Sequence, residues 1–209
     1  MTRQVFDEDL ARQYGAGALI GIDEAGRGPL AGPVTACACV LPKNAYPLLS
    51  GVNDSKQVSP RKRELLYDLI KRCGAVYAVS FVSAADVDRL NILQATFKAM
   101  RQAVSEIADK VANPLCVVDG SNEVRGLTLP QKAVIKGDSK SLCVAAASIM
   151  AKVERDRYML ELDTKYPVYG FAGHKGYGTA EHMKALAEHG PCPEHRTTFI
   201  PIWYCCKGS

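Results

Sequence analysis

Four acidic residues stand where acids that merely solvate a surface would not. Asp23 and Glu24 end the apolar run 19–22, Asp119 ends the run 115–118, and Asp138 follows Gly137 at the start of a helical stretch. Two strand ends and a helix start can converge at one edge of a sheet. Carboxylates gathered there repel one another, and hard oxygen donors select Mg²⁺ or Mn²⁺ over zinc as the neutralising cations. Two divalent ions balance four carboxylates. Such a pair, roughly 3.5–4 Å apart, activates water and stabilises the leaving oxygen in phosphodiester hydrolysis. Taken singly, each acid has a plainer explanation: a helix N-cap for Asp138, a turn for Asp119, an exposed strand end for Asp23 and Glu24. Only their conjunction points to a metal-dependent phosphodiesterase.

Gly26 and Gly28 flank Arg27 directly after the first acid pair. Glycines permit a sharp backbone excursion and close approach of a ligand, and the guanidinium between them can fork onto a phosphate. Backbone groups placed so near a metal site could read a sugar hydroxyl. A dinucleotide-binding turn is excluded, because Gly26, Gly28 and Gly32 miss the G-x-G-x-x-G spacing and Pro29 with Pro33 blocks the helix that must follow. No Walker A lysine motif, G-x-S-x-G elbow or H-E-x-x-H is present.

The elements that must position these groups alternate. Runs 19–22 and 33–41 predict two strands joined by the glycine-rich connection. Ser59 and Pro60 predict an N-cap and first turn for an amphipathic helix carrying Leu65, Leu66, Leu69 and Ile70 and stopping before Gly74. A strand over 75–82 follows, then a helical stretch that Ser83 and Asp86 start and that the spacing of Ile92, Leu93, Ala95, Phe97, Met100, Val104 and Ile107 carries towards Asn113-Pro114. Strands over 115–118 and 132–135 precede a long helix that Asp138 opens and that runs towards Tyr166-Pro167; 179–188 predicts a final capped helix. Interleaved strands and helices without a linker or repeat imply one α/β or α+β domain over 1–209 on a mixed sheet, with a C-terminal helical portion from about 167.

The 209 residues carry 26 basic and 22 acidic side chains, a net +4 that permits a nucleic-acid partner without announcing one. At 47% hydrophobic and 23% charged, the chain is neither collagen-like nor disordered nor a coiled coil. Without an apolar run of membrane-crossing length or a basic-then-apolar leader, a cytoplasmic location and no membrane partner are expected. Cys37, Cys39, Cys73, Cys116 and Cys143 fall in apolar stretches and read as reduced core filler. Cys192, His195, Cys205 and Cys206 invite a zinc site, but their spacing matches no standard ligand pattern.

The runs Gly21-Ile22-Asp23-Glu24-Ala25-Gly26-Arg27-Gly28-Pro29-Leu30-Ala31-Gly32-Pro33, Asn53-Asp54-Ser55-Lys56, Val118-Asp119-Gly120, Lys136-Gly137-Asp138, Ala147-Ser148-Ile149-Met150-Ala151-Lys152-Val153-Glu154-Arg155-Asp156 and His174-Lys175-Gly176-Tyr177-Gly178-Thr179 closely resemble bacterial ribonuclease HII. The likeness covers nearly the whole chain, in the family's order. It implies an RNase H-like mixed sheet flanked by helices. It also implies cleavage of the RNA strand of RNA/DNA hybrids and of the phosphodiester 5′ to a lone ribonucleotide in duplex DNA, leaving 3′-hydroxyl and 5′-phosphate ends, in ribonucleotide removal during replication and repair. By motif position the metal-binding carboxylates fall on Asp23, Glu24, Asp119 and Asp138. Asp156 competes for the last place, but lies roughly five turns further along the long helix; its plain reading is a salt bridge on the helix surface, with support of the metal ligands from behind as the remaining alternative. The resemblance assigns Gly26, Arg27 and Gly28 to the ribonucleotide's 2′-hydroxyl and Tyr177 to stacking on the next sugar. Lys56, Ser139, Lys175 and Arg196 suit phosphate contacts, with an ordinary surface group as the alternative for each, whereas the run Arg61-Lys62-Arg63 is expected to solvate a helix face, with contact to the duplex away from the cut as the minor alternative.

The related ribonuclease HIII carries an added N-terminal domain, for which the residues before Asp23 leave no room. The tail from Phe199 lacks the glutamine-led clamp-binding pattern of some relatives, which argues against a sliding-clamp partner; a monomer is expected. Two rival classes are a DNA-only phosphodiesterase, which the Gly26-Arg27-Gly28 element opposes, and a hybrid-binding module with structural acids.

Overall fold

In the computed structural model, residues 1–49 and 58–207 are described, with side chains through Trp203. They form a five-stranded mixed sheet in the order β3-β2-β1-β4-β5, from β1 (Ala18–Ala25), β2 (Val34–Val40), β3 (Val76–Val82), β4 (Pro114–Asp119) and β5 (Gln131–Val134). The β1–β2 and β2–β3 pairs are antiparallel, while β1–β4 and β4–β5 are parallel. This is the mixed sheet expected from the sequence.

Each sheet face is covered by helices, because the central strands are apolar on both sides. Ile20, Ile22, Cys116 and Val118 pack against α4 (Ile92–Ser105) and Val87 of α3 (Ala84–Leu90). On the opposite face α2 (Pro60–Arg72) and α6 (Leu142–Lys165) enclose Cys37, Cys39, Ile70 and Ile149. Gly21 lies under α6 so closely that a Cβ there would stand 2.1 Å from the carbonyl carbon of Cys143. The single helical stretch expected after Ser83 is two helices: Asn91, with φ 65°, ends α3, and its side chain caps α4 by accepting from Gln94 N–H.

An N-terminal helix, α1 (Arg3–Tyr14), was not foreseen, although Thr2 caps its start and Gly15, at φ 61°, its end. C-terminal to the sheet, α7 (Phe171–His174), α8 (Ala180–His189) and α9 (Ile200–Lys207) pack through Phe171, Leu186 and Ile202 onto Met159 and Leu162 of α6 and onto Leu30 and Ala31. The 179–188 helix is therefore not the last one, and the presumed tail carries α9. The predicted core cysteines Cys37, Cys39, Cys116 and Cys143 are buried free thiols, and Cys73 is half-buried. Among the described residues no helix is long and apolar enough to cross a membrane.

Candidate active site

Register brings two of the acids together. Ile22 pairs with Val118 in the parallel β1–β4 ladder, so the next residues, Asp23 and Asp119, fall side by side where β4 ends, while β1 continues two residues further along β2. Asp23 is buried, and its Oδ1 accepts the Glu24 N–H at 2.7 Å. Burial, then Glu24 and Asp119, push its carboxyl well above the usual range, while the Ser148 hydroxyl of α6 opposes the rise. Ser148 is a contributor that sequence reasoning missed. Glu24 points to the other sheet face, lining with Asp119, Thr96, Phe97 and Asn122 a cleft of about 130 Å³, and it pairs at 3.3 Å with the exposed Arg27.

Asp138 arrives by a route different from the one expected. It does not open the long helix; it lies in a separate turn, α5 (Gly137–Lys140), and Ser141 caps α6. Lys136 adopts φ 56°, and the Gly137 N–H donates to Asp119 Oδ1 at 2.6 Å, which seats the buried Asp138 beside Asp119. The unforeseen α1 supports this corner. Arg3 Nε donates to the Asp138 carbonyl at 3.2 Å, and the buried Asp7 accepts the Leu142 and Cys143 N–H groups with Oδ2 at 2.9 and 3.2 Å. A carboxylate at that point satisfies donors that the first turn of α6 leaves unpaired.

Carboxylates are the hard oxygen donors that suit a divalent cation, and the Asp23 carboxyl is raised by burial and then by Glu24 and Asp119, a repulsion that a cation would relieve. Among the described residues no three His, Cys, Asp or Glu side chains form a closed ligand set. Asp23, Asp119 and Glu24 instead hold Glu24 N–H, Gly137 N–H and Arg27.

Next to the acids is a cavity of about 410 Å³ lined by Glu24, Ala25, Gly26, Arg27, Gly28, Lys152 and Tyr177. The two flanking glycines serve different ends. At Gly26, with φ 89°, a Cβ would stand 2.0 Å from Arg155 Nε; at Gly28 it would meet only Tyr177, at 3.6 Å from Cε1. Tyr177 is exposed (47%) at the cavity mouth. Lys152, which sequence reasoning did not single out, is held by Asp156 at 2.6 Å, and Arg63 reaches the same carboxylate at 3.5 Å. Asp156 is thus in the ion pair that its plain reading implied, and Arg63 is buried rather than solvating a helix face.

The expected phosphate contacts divide. Arg196 is fully buried, and its guanidinium donates to the carbonyls of Gly26, Arg27, Pro29 and Gly32 at 2.6–3.1 Å, so it is not available to a phosphate. The Lys175 ammonium turns back onto the Ala172 carbonyl. Ser139 is exposed beside Asp138, 3.3 Å from its Oδ1. Lys56 lies outside the described residues. The zinc alternative loses its imidazole: His195 Nδ1 accepts the Cys192 N–H at 2.9 Å and its Nε2 faces His182 Nε2 at 3.0 Å. The side chains of Cys205 and Cys206 are outside the described set.

The family model described as Ribonuclease HII matches residues 20–204. A curated ribonuclease HII from Endomicrobium trichonymphae is 54% identical over 183 residues, 87% of this chain and 85% of the relative. Among solved structures, ribonuclease H2 from Pyrococcus horikoshii OT3 superposes with a TM-score of 0.76 at 27% identity, covering 91% of this chain and 98% of that one. A chain of the PCNA:RNase HII complex from Archaeoglobus fulgidus gives 0.73 at 27% identity, covering 87% and 95%. Bst-RNase HIII in complex with Mn²⁺ shares the fold, with a TM-score of 0.74 at 17% identity and coverage of 94% and 71%.

Proposed function

This chain belongs to the ribonuclease HII family, and we propose that it cuts the phosphodiester 5′ to a ribonucleotide embedded in duplex DNA, using Asp23, Glu24, Asp119 and Asp138. The family is one of RNase H-type endonucleases, divalent-metal-dependent hydrolases acting on RNA paired with DNA. The observation that carries the finer reading is that Glu24, next in sequence to the Asp23 that lies beside Asp119, shares one cavity with Gly26, Arg27, Gly28 and Tyr177. In this reading the four carboxylates hold Mg²⁺ or Mn²⁺ as a pair, which would neutralise the scissile phosphate and lower the pKa of the attacking water.

The chain's own groups do the rest. Ser148 and the Glu24 N–H fix the Asp23 carboxylate, and the Gly137 N–H fixes that of Asp119. Backbone groups of Gly26–Gly28 meet the 2′-hydroxyl, Tyr177 stacks on the following sugar, and Lys152 faces the nucleic-acid backbone across the cavity. Ser139, beside Asp138, is the phosphate contact retained from the sequence reading. The products are a 3′-hydroxyl and a 5′-phosphate, consistent with ribonucleotide removal.

The test compares a duplex holding one ribonucleotide with its all-DNA twin, in Mg²⁺ and in Mn²⁺. Cleavage of the first alone, 5′ to the ribose, is expected; an intact ribonucleotide duplex in both metals overturns the reading. In this reading the chain acts as a monomer in one domain. A PCNA complex exists for the Archaeoglobus relative, so size-exclusion analysis with and without a clamp ring tests that the chain elutes alone.

A further inference from the structure

Two arginines lie buried under the loop that follows the first acid pair. Arg155 on α6 is 1% exposed and Arg196, after α8, is 0% exposed. The hydrogen bonds of both go to main-chain carbonyls. Arg155 donates to Pro33, Ala31 and Lys175 at 3.0–3.1 Å; Arg196 donates to Gly26, Arg27, Pro29 and Gly32 at 2.6–3.1 Å. Burying two neighbouring cations against carbonyl dipoles is a costly way to fill a core, since apolar side chains of similar volume usually do so at no loss of stability. What a guanidinium adds is a planar fork that fixes several acceptors in direction.

That direction has a chemical result. In a trans peptide the N–H of one residue points opposite to the C=O of the residue before it. Drawing the Gly26 and Arg27 carbonyls inward onto Arg196 therefore turns the Arg27 and Gly28 N–H groups outward, where both residues are exposed at the cavity. Arg155 joins this loop to the one bearing Tyr177, through Ala31 and Lys175, and the Leu30 N–H to Gly176 carbonyl bond of 2.8 Å closes the same seam. Gly176, at φ 84°, has no room for a side chain there, as a Cβ would stand 2.6 Å from the Ala31 oxygen.

We propose that Arg155 and Arg196 are positioning residues for ribonucleotide recognition: buried guanidiniums that set the outward amides of Arg27 and Gly28 and lock the Tyr177 loop to them as one unit. The inference rests on Gly26–Gly28 reading the ribose and deepens it by saying what shapes the reader.

The experiment measures affinity of the full chain for a duplex with one ribonucleotide and for its all-DNA twin, with Ca²⁺ in place of the catalytic metal, for the parent, Arg196→Lys, Arg155→Lys and Val104→Ala. The last is a buried truncation in α4 on the far sheet face and controls for lost stability. Lysine keeps the charge but cannot fork. Each arginine variant is expected to lower the ribonucleotide-to-DNA affinity ratio by about tenfold, the loss of roughly one oriented hydrogen bond, with affinity for the all-DNA twin nearly unchanged. Val104→Ala should leave the ratio at the parent's value. Should Arg196→Lys fail to fold, Arg155→Lys reads the same ratio. A parental ratio in folded arginine variants, or an equal loss for both duplexes, overturns the proposal. A parent that does not distinguish the duplexes overturns the ribose-reading role of the loop itself, and this inference with it.

Discussion

His182 Nε2 lies 3.0 Å from His195 Nε2, and both rings are buried. The Cys192 N–H donates to His195 Nδ1, so the His195 proton sits on Nε2 and is donated to His182, whose own Nδ1–H reaches the Tyr177 carbonyl at 2.9 Å. Both rings must be neutral for this line to hold. Burial, then His182, pushes His195 down to about 4 from 6.5, and burial lowers His182 too. Between those values the unfolded chain binds the proton and the folded chain does not. Stability is therefore full above about pH 6.5 and falls as pH drops towards 4, by about 2 kcal/mol at pH 4.5 for His195 alone. Urea denaturation at pH 7 and 4.5 checks this: His195→Gln, which can still donate to His182, should lose less on acidification than the parent, and equal losses would refute it.

Divalent cation should raise the melting temperature of the parent, because ligation relieves the repulsion among Asp23, Glu24 and Asp119. At a hundredfold excess over the dissociation constant the gain is about 2.7 kcal/mol. Asp119→Asn keeps the acceptor for the Gly137 N–H but removes a charge. It should lose most of the metal-induced shift and cut at least about a thousandfold more slowly, some 4 kcal/mol of transition-state stabilisation, while still binding substrate. Calorimetry and single-turnover cleavage decide; turnover near the parent's would remove Asp119 from the site.

Gly26→Ala and Gly28→Ala should part company. The first drives a methyl into Arg155 at a positive-φ position and should cost roughly 3 kcal/mol or more of stability. The second has space and should stay within about 0.5 kcal/mol of the parent, yet weaken binding of the ribonucleotide duplex by crowding the cavity. Paired melts and affinity measurements check both, and comparable melting of the two variants would count against the packing argument.

Tyr177→Ala removes a ring that is already 47% exposed, so its effect on stability should be within about 0.5 kcal/mol. Cleavage at a single ribonucleotide should fall about ten- to a hundredfold, the usual worth of one stacked contact. Unaltered cleavage would show that the ring serves only the loop.

Local signals predict local structure, and there the sequence was legible: the apolar runs leading to Asp23 and Asp119, the Ser59, Ser83 and Thr179 caps, and the run from Gly21 to Pro33 marked the strands, the helix starts and the family. What the sequence missed depends on partners far along the chain. Arg196 looks like any cation near a nucleic-acid site, and only the meeting of residues 26–32 with 196 shows that its donors are already taken. Asp138 looks like the cap of a long helix until Gly137 is seen bonded to Asp119. Periodicity reports which face of an element is apolar; it does not report which distant carbonyl a buried guanidinium or amide will satisfy. That choice belongs to the tertiary structure, because a buried donor must find its acceptor wherever the fold has placed one.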